Sequence, residues 1–218
     1  MKVERDVQPG LFADSKERPV GPILPSVFAG SNADLMAAVA PLYLTGSVLD
    51  VTYGEGRWWT RFTPEPFTFH DKFKVDGVDF TVLPEDDASF DTVCFNPPYV
   101  ISGGIGSSTA GDFLDNYGIG DRDPVSFYLL IRCGLAECLR VANGFVLVKC
   151  MEFAQGGQFH DIPHLVTEQA KALGWVKHDQ IVHHTGTGPG GHNIFTVKRA
   201  RRAHSYLLVF VRRDGAKR

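Results

Sequence analysis

The 218-residue chain lacks the features that mark the extreme protein classes. No apolar run approaches the roughly 20 residues that span a bilayer. The N-terminus, MKVERDVQPG, has no apolar core of the kind a signal peptide needs. The expectation is a cytoplasmic protein with no membrane partner, and association with a nucleoid is compatible with it. Cysteine is scarce, at four, and no two form a CxxC pair, which removes the zinc ribbon and the dithiol redox motif. Cys94 and Cys150 sit in apolar runs, and Cys133 and Cys138 in a helical pattern, so all four read as reduced, mostly buried thiols. No internal repeat is present. A metal site is not expected either: His160 and His164 have i, i+4 spacing, but Pro163 interrupts the helix that would bring them together.

What is there is an ordinary globular composition, 44% hydrophobic and 22% charged, with a net charge of −3. That small number hides an asymmetry. From Lys198 to Arg218 there are eight basic residues and one acidic, giving +7, so the rest of the chain carries −10. A basic end on an acidic body predicts an anionic partner touched at one place, the alternative being a solvated basic edge.

Residues 1–22 mix charge, proline and few apolar side chains and are expected to form a mobile arm. Residues 23–218 read as one domain. Ser31-Asn32 caps a helix through Ala33, Leu35, Met36, Val39 and Tyr43 that Pro41 kinks or ends. Strands are expected at 47–51, 67–70, 79–83, 90–95, 144–150, 176–182 and 205–211. Helices are expected from Pro124 and over 163–173. Strands alternating with helices predict a mostly parallel seven-stranded sheet covered on both faces. The last two strands are joined by a loop, which favours an antiparallel pair at the sheet edge. Two Gly-rich insertions, at about 100–123 and 184–203, are long enough to be functional loops.

Two motifs follow strand ends. In VLDVTYGEG (48–56), a strand ending at Asp50 runs through Thr52 into a turn with Gly54 and Gly56, where ligands of open α/β sheets sit. A dinucleotide fingerprint needs a third glycine at position 59, where Trp59 stands, and this argues against NAD. In NPPY (96–99), two prolines fix the backbone so that the Asn96 side chain and the Pro97 carbonyl face one point. Both are acceptors, which suits an amino group with two hydrogens to donate. Pro98 continues the turn, and Tyr99 offers a flat face for a base.

These motifs together resemble the class I S-adenosylmethionine-dependent methyltransferases, specifically the group that methylates adenine N6 in DNA, over about residues 25–211. The resemblance implies a Rossmann-like fold with an antiparallel final strand and S-adenosylmethionine as methyl donor. It implies Asn96, Pro97, Pro98 and Tyr99 as catalytic residues. It assigns the donor to Phe28, Asp50, Thr52, Gly54, Gly56, Asp71, Asp79, Phe80 and Asn96. Among these, Asp71 would hold the ribose hydroxyls, Asp79 the adenine amino group, and Phe80 would offer its backbone to the ring. Two departures from the family's pattern are expected: no separate target-recognition domain after the catalytic part, and no clear glycine-acid context around His70-Asp71. RNA adenine or guanine, or a protein glutamine, are alternative acceptors with the same chemistry, and a non-catalytic nucleic-acid-binding module is the rival of another class.

Two further segments point to partners. Lys198, Arg199, Arg201 and Arg202 precede the final strand and are candidate phosphate contacts to DNA, or to RNA. Gln8, Leu11 and Phe12 in QPGLF resemble the short peptides that dock bacterial DNA enzymes onto a sliding clamp. His183-His184 reads as the end of a strand, and Trp58-Trp59 as packing.

Overall fold

A computed structural model describes residues 23–98, 124–155, 158–184 and 202–213. Nine strands are present among them: β1 Val27–Ala29, β2 Val48–Asp50, β3 Phe67–Phe69, β4 Phe90–Phe95, β5 Ala142–Cys150, β6 Phe153–Gln155, β7 Gln158–His160, β8 Trp175–His184 and β9 Ser205–Arg212. The helices are α1 Asn32–Tyr43, α2 Pro124–Val141 and α3 Ile162–Ala172, with a 3-10 turn at Arg57–Trp59.

Seven strands form one sheet in the order β1-β8-β9-β5-β4-β2-β3. β3, β2, β4 and β5 are parallel neighbours, whereas β9 runs antiparallel to both β5 and β8. This is the mostly parallel sheet with an antiparallel final strand that the sequence predicts. Successive side chains of a strand point to opposite faces, and the core divides accordingly. Leu49, Val93, Phe95, Val146, Val148, Leu208 and Phe210 pack with Phe127, Ile131 and Leu135 of α2 and Val166 of α3. On the other face Val48, Cys94, Leu147, Leu207 and Val209 pack with Leu35, Met36 and Val39 of α1 and with Trp58 and Trp59. Helices therefore cover both faces.

Local signals account for the helix ends. Ser31 caps α1 by accepting from Asp34 N, while the Asp34 carboxylate accepts from Ser31 N, each at 3.1 Å. Helix α1 ends two residues after Pro41, and α2 begins at Pro124, where the missing N–H costs nothing.

Two expectations are corrected. Residues 79–83 form no strand. The Asp79 carbonyl accepts from Val82 N at 2.9 Å and its carboxylate from Thr81 N at 2.9 Å, so these amides are drawn into a local turn instead of a ladder. The seventh strand is instead β1, which pairs in parallel with β8 at the far side. The antiparallel pair is also not at the edge. β9 inserts between β5 and β8, and its uninterrupted apolar run Leu207–Phe210 is buried on both faces. Of the four cysteines, all unpaired, Cys94, Cys138 and Cys150 are buried and Cys133 is exposed.

Candidate active site

The C-terminal ends of β2, β4 and β5 lie side by side, and both sequence motifs leave the sheet there. Asp50, the last residue of β2, is buried. Its Oδ1 accepts from Thr52 N at 2.8 Å and from the Thr52 hydroxyl at 3.3 Å, and its Oδ2 from the Trp59 indole N–H at 2.7 Å. Thr52 Oγ1 in turn accepts from Asn96 N at 2.8 Å. One relay, Asn96 to Thr52 to Asp50 to Trp59, thus joins the start of the NPP turn to the glycine turn. Burial pushes the Asp50 carboxyl up to about 6, against the opposing pull of the Thr52 and Trp59 donors.

Gly54 and Gly56 have φ of 58° and 68°, in the left-handed region that only glycine enters freely. A Cβ on Gly54 would meet nothing closer than 3.9 Å, so the outer side of the turn is open for a ligand to approach backbone. Asp71 reaches this turn: its Oδ2 accepts from Gly54 N at 2.8 Å, and its Oδ1 from Phe73 N and Lys74 N at 2.9 and 2.8 Å. The residue expected to hold the ribose therefore braces the glycine turn. Asp79 accepts from Lys72 Nζ at 2.7 Å as well as from Thr81. Burial opposes its ionisation, but the Lys72 and Thr81 donors outweigh that and hold its carboxyl below the usual range. The Phe80 side chain is sunk against Phe95, at 5.2 Å between ring centroids, which leaves its backbone for the role expected of it. Gly134 of α2 makes room for that ring, since a Cβ there would lie 2.6 Å from Phe80.

Pro97 is buried, Asn96 and Pro98 are half-buried, and Phe28 is half-buried with its ring 6.2 Å from that of His183. Arg202 pairs with Glu152 at 3.2 Å. Tyr99, Lys198, Arg199, Arg201, the clamp-like residues Gln8, Leu11 and Phe12, and nearly all of both insertions lie outside the described residues. His160 belongs to β7 and His164 to α3, so the two do not share a helix.

No protein-family model matches the chain, and no curated protein matches it. Among solved structures it is similar to a protein of Thermus thermophilus, provisionally described as a DNA modification methylase and complexed with S-adenosyl-L-methionine. The identity is 16% and the TM-score 0.40, over 79% of this chain and 58% of that one. This chain thus spans less than two thirds of that protein. A Burkholderia thailandensis 1,6-didemethyltoxoflavin-N1-methyltransferase with S-adenosylhomocysteine is 13% identical, with a TM-score of 0.42, over 84% and 77% of the two chains. A Leishmania major SAM-dependent methyltransferase is 8% identical, with a TM-score of 0.45, over 82% and 70%.

Three residues at this rim escape the motif reading. Lys149, near the end of β5, is 2% exposed, and its ammonium donates to Asn32 Oδ1 at 3.0 Å and Ser205 Oγ at 2.8 Å. Val148 pairs with Phe95, so Lys149 stands beside Asn96 in the parallel register. Burial pulls its ammonium down to about 8. A lone charge inside GFVLVKC was the available signal. His70 is held between Asp76 and Glu85, whose hydrogen bonds outweigh burial and raise its pKa. Its main chain also ties β2 to the glycine turn, the backbone N–H donating to Asp50 O at 2.8 Å and the carbonyl accepting from Tyr53 N at 3.0 Å. Trp59 is both core and polar anchor, a double role that packing alone did not suggest.

Proposed function

We propose that the protein is an S-adenosylmethionine-dependent N-methyltransferase acting on the exocyclic N6 of adenine in DNA. The observation that carries this reading is the hydrogen-bonded relay from Asn96 through Thr52 to Asp50, which couples an acceptor-bearing NPP turn to an open glycine turn. Such coupling suits a reaction in which a donor on one turn must meet an acceptor amine on the other in line, since positioning contributes much of the rate.

The chain's residues fit the methyl donor. Gly54 leaves open backbone at the turn, Asp71 holds that turn in shape through Gly54 N, and Asp79 supplies a carboxylate paired with Lys72. When bound, S-adenosylmethionine supplies an electrophilic methyl group on its sulfonium. Asn96 Oδ1 and the Pro97 carbonyl would accept from the two N6 hydrogens and localise the nitrogen lone pair, which the ring otherwise delocalises. The amine loses one proton to solvent as it gains the methyl. A base in a duplex must first be flipped out, and Tyr99 is the residue proposed to replace its stacking.

Radioactive methyl transfer from S-adenosylmethionine to unmethylated DNA tests the proposal, with Asn96→Ala as the control. Label in DNA with the wild type, lost in Asn96→Ala, is the expected outcome. Label only in RNA or in protein would replace the acceptor. A wild type that binds no S-adenosylhomocysteine would overturn the reading.

A further inference from the structure

The β6–β7 hairpin stands outside the main sheet, at the exit of β5 and so on the strand next to the NPP turn. Its base is fastened. Phe153 is buried edge-on against Phe127 of α2 at 5.8 Å and stacks on His160 at 4.6 Å, and the His160 ring is hydrogen-bonded to the Tyr128 hydroxyl. Alternation along β7 then turns the next side chain the other way. Phe159 is 49% exposed, an unusual fate for a phenylalanine on an anchored element.

Arg202 approaches this ring, its guanidinium carbon 5.0 Å from the centroid. The same guanidinium lies 3.2 Å from Glu152 Oε1, with His204 at 3.4 Å on that oxygen. Arg202 therefore spans from the exit of β5 to the hairpin. It is also the last of four basic residues in the run 198–202.

We infer that Phe159, with Arg202 beside it, is a stacking platform for an unpaired base of a nucleic-acid strand whose target adenine lies at Asn96. This rests on the nucleic-acid methyltransferase reading. A half-exposed ring matches a partner that carries a π-face, and the basic run 198–202 that leads to Arg202, whose own charge Glu152 offsets in part, matches one that is also anionic. A nucleic acid offers the two together and a neutral peptide does not.

The test is fluorescence anisotropy of a labelled, adenine-containing single-stranded DNA of about a dozen nucleotides, a length within the range such grooves hold. It is run with saturating S-adenosylhomocysteine on wild type, Phe159→Ala and Phe159→Trp. Phe159 is exposed, so both variants are expected to fold, and calorimetric binding of S-adenosylhomocysteine verifies the site. Phe159→Ala should weaken DNA binding by roughly 5- to 100-fold, the usual worth of one stacked base, and Phe159→Trp should restore it. Unchanged DNA affinity in Phe159→Ala, in an enzyme that still methylates DNA with the same KM, overturns the platform and leaves the methyltransferase reading standing. A wild type that binds S-adenosylhomocysteine but neither binds nor methylates a nucleic acid overturns both.

Discussion

Asp50 shows how much of a site one residue can carry. Its place at a strand end before a glycine turn was legible in the sequence, but its partner was not. Trp59 lies nine positions on, and only the 3-10 turn at Arg57–Trp59 brings the indole N–H back beneath the carboxylate. Removing that donor leaves a buried oxygen unsatisfied, at a cost of about 1–3 kcal/mol. Trp59→Phe should lose roughly that much stability in urea unfolding, and S-adenosylhomocysteine affinity should fall with it. A Trp59→Phe protein as stable as wild type would show that the bond contributes nothing. Lys149 tests burial by pH. Its folded pKa, near 8, lies below the ordinary 10.5, so the unfolded chain binds more protons between these values. Stability from this group therefore rises with pH across that window. Relative to Lys149→Met, the wild type should gain about 1–3 kcal/mol between pH 8 and 10.5, as followed by denaturant midpoints. A constant difference would mean that the ammonium is not desolvated as its surroundings imply.

Among the elements, the long periodic segments were readable, and of the three-residue strands β2 and β3 were but β1, β6 and β7 were not. Helices α1 and α2 begin where Ser31 and Pro124 place them, because capping is local chemistry. The segment 79–83 has the apolar alternation of a strand, yet Asp79 captures the following amides and Val82 is left 74% exposed. Strand β1 and the β6–β7 hairpin were not expected from the sequence, and only tertiary pairing defines them. The glycine turn makes a sharper claim about an element. Gly56→Ala must adopt a positive φ, which costs about 1–2 kcal/mol, and places a Cβ 2.5 Å from the Tyr53 hydroxyl, whose ring is stacked on Phe69 at 4.1 Å. Gly77→Ala has the same backbone strain at φ 81° but nothing within 4 Å. Calorimetry should therefore find S-adenosylhomocysteine binding lost or at least tenfold weaker in Gly56→Ala and retained in Gly77→Ala. Equal behaviour of the two would detach the turn's shape from ligand binding.

At the scale of the whole molecule, the basic C-terminal end that composition treats as one patch is divided by the fold. Strand β9 is eight residues long, roughly 25 Å, and runs from the rim that carries the NPP turn to the opposite edge of the sheet. Arg202 lies just before its start, beside Glu152 and the hairpin, whereas Arg212 ends it over Trp175. A linear charge count cannot see this, because it ignores which end of a strand a residue occupies. The expected division of labour is that Arg202 belongs with the substrate and Arg212 does not. Among the described residues no helix is long and apolar enough to cross a membrane. The proposed function turns on which atom, if any, receives a methyl group. Nucleoside mass spectrometry of unmethylated DNA and RNA, each incubated with the protein and labelled S-adenosylmethionine, measures it directly. Labelled N6-methyladenine in the DNA digest, absent with Asn96→Ala, is the predicted result; DNA without label, or label on any other nucleoside, would contradict it.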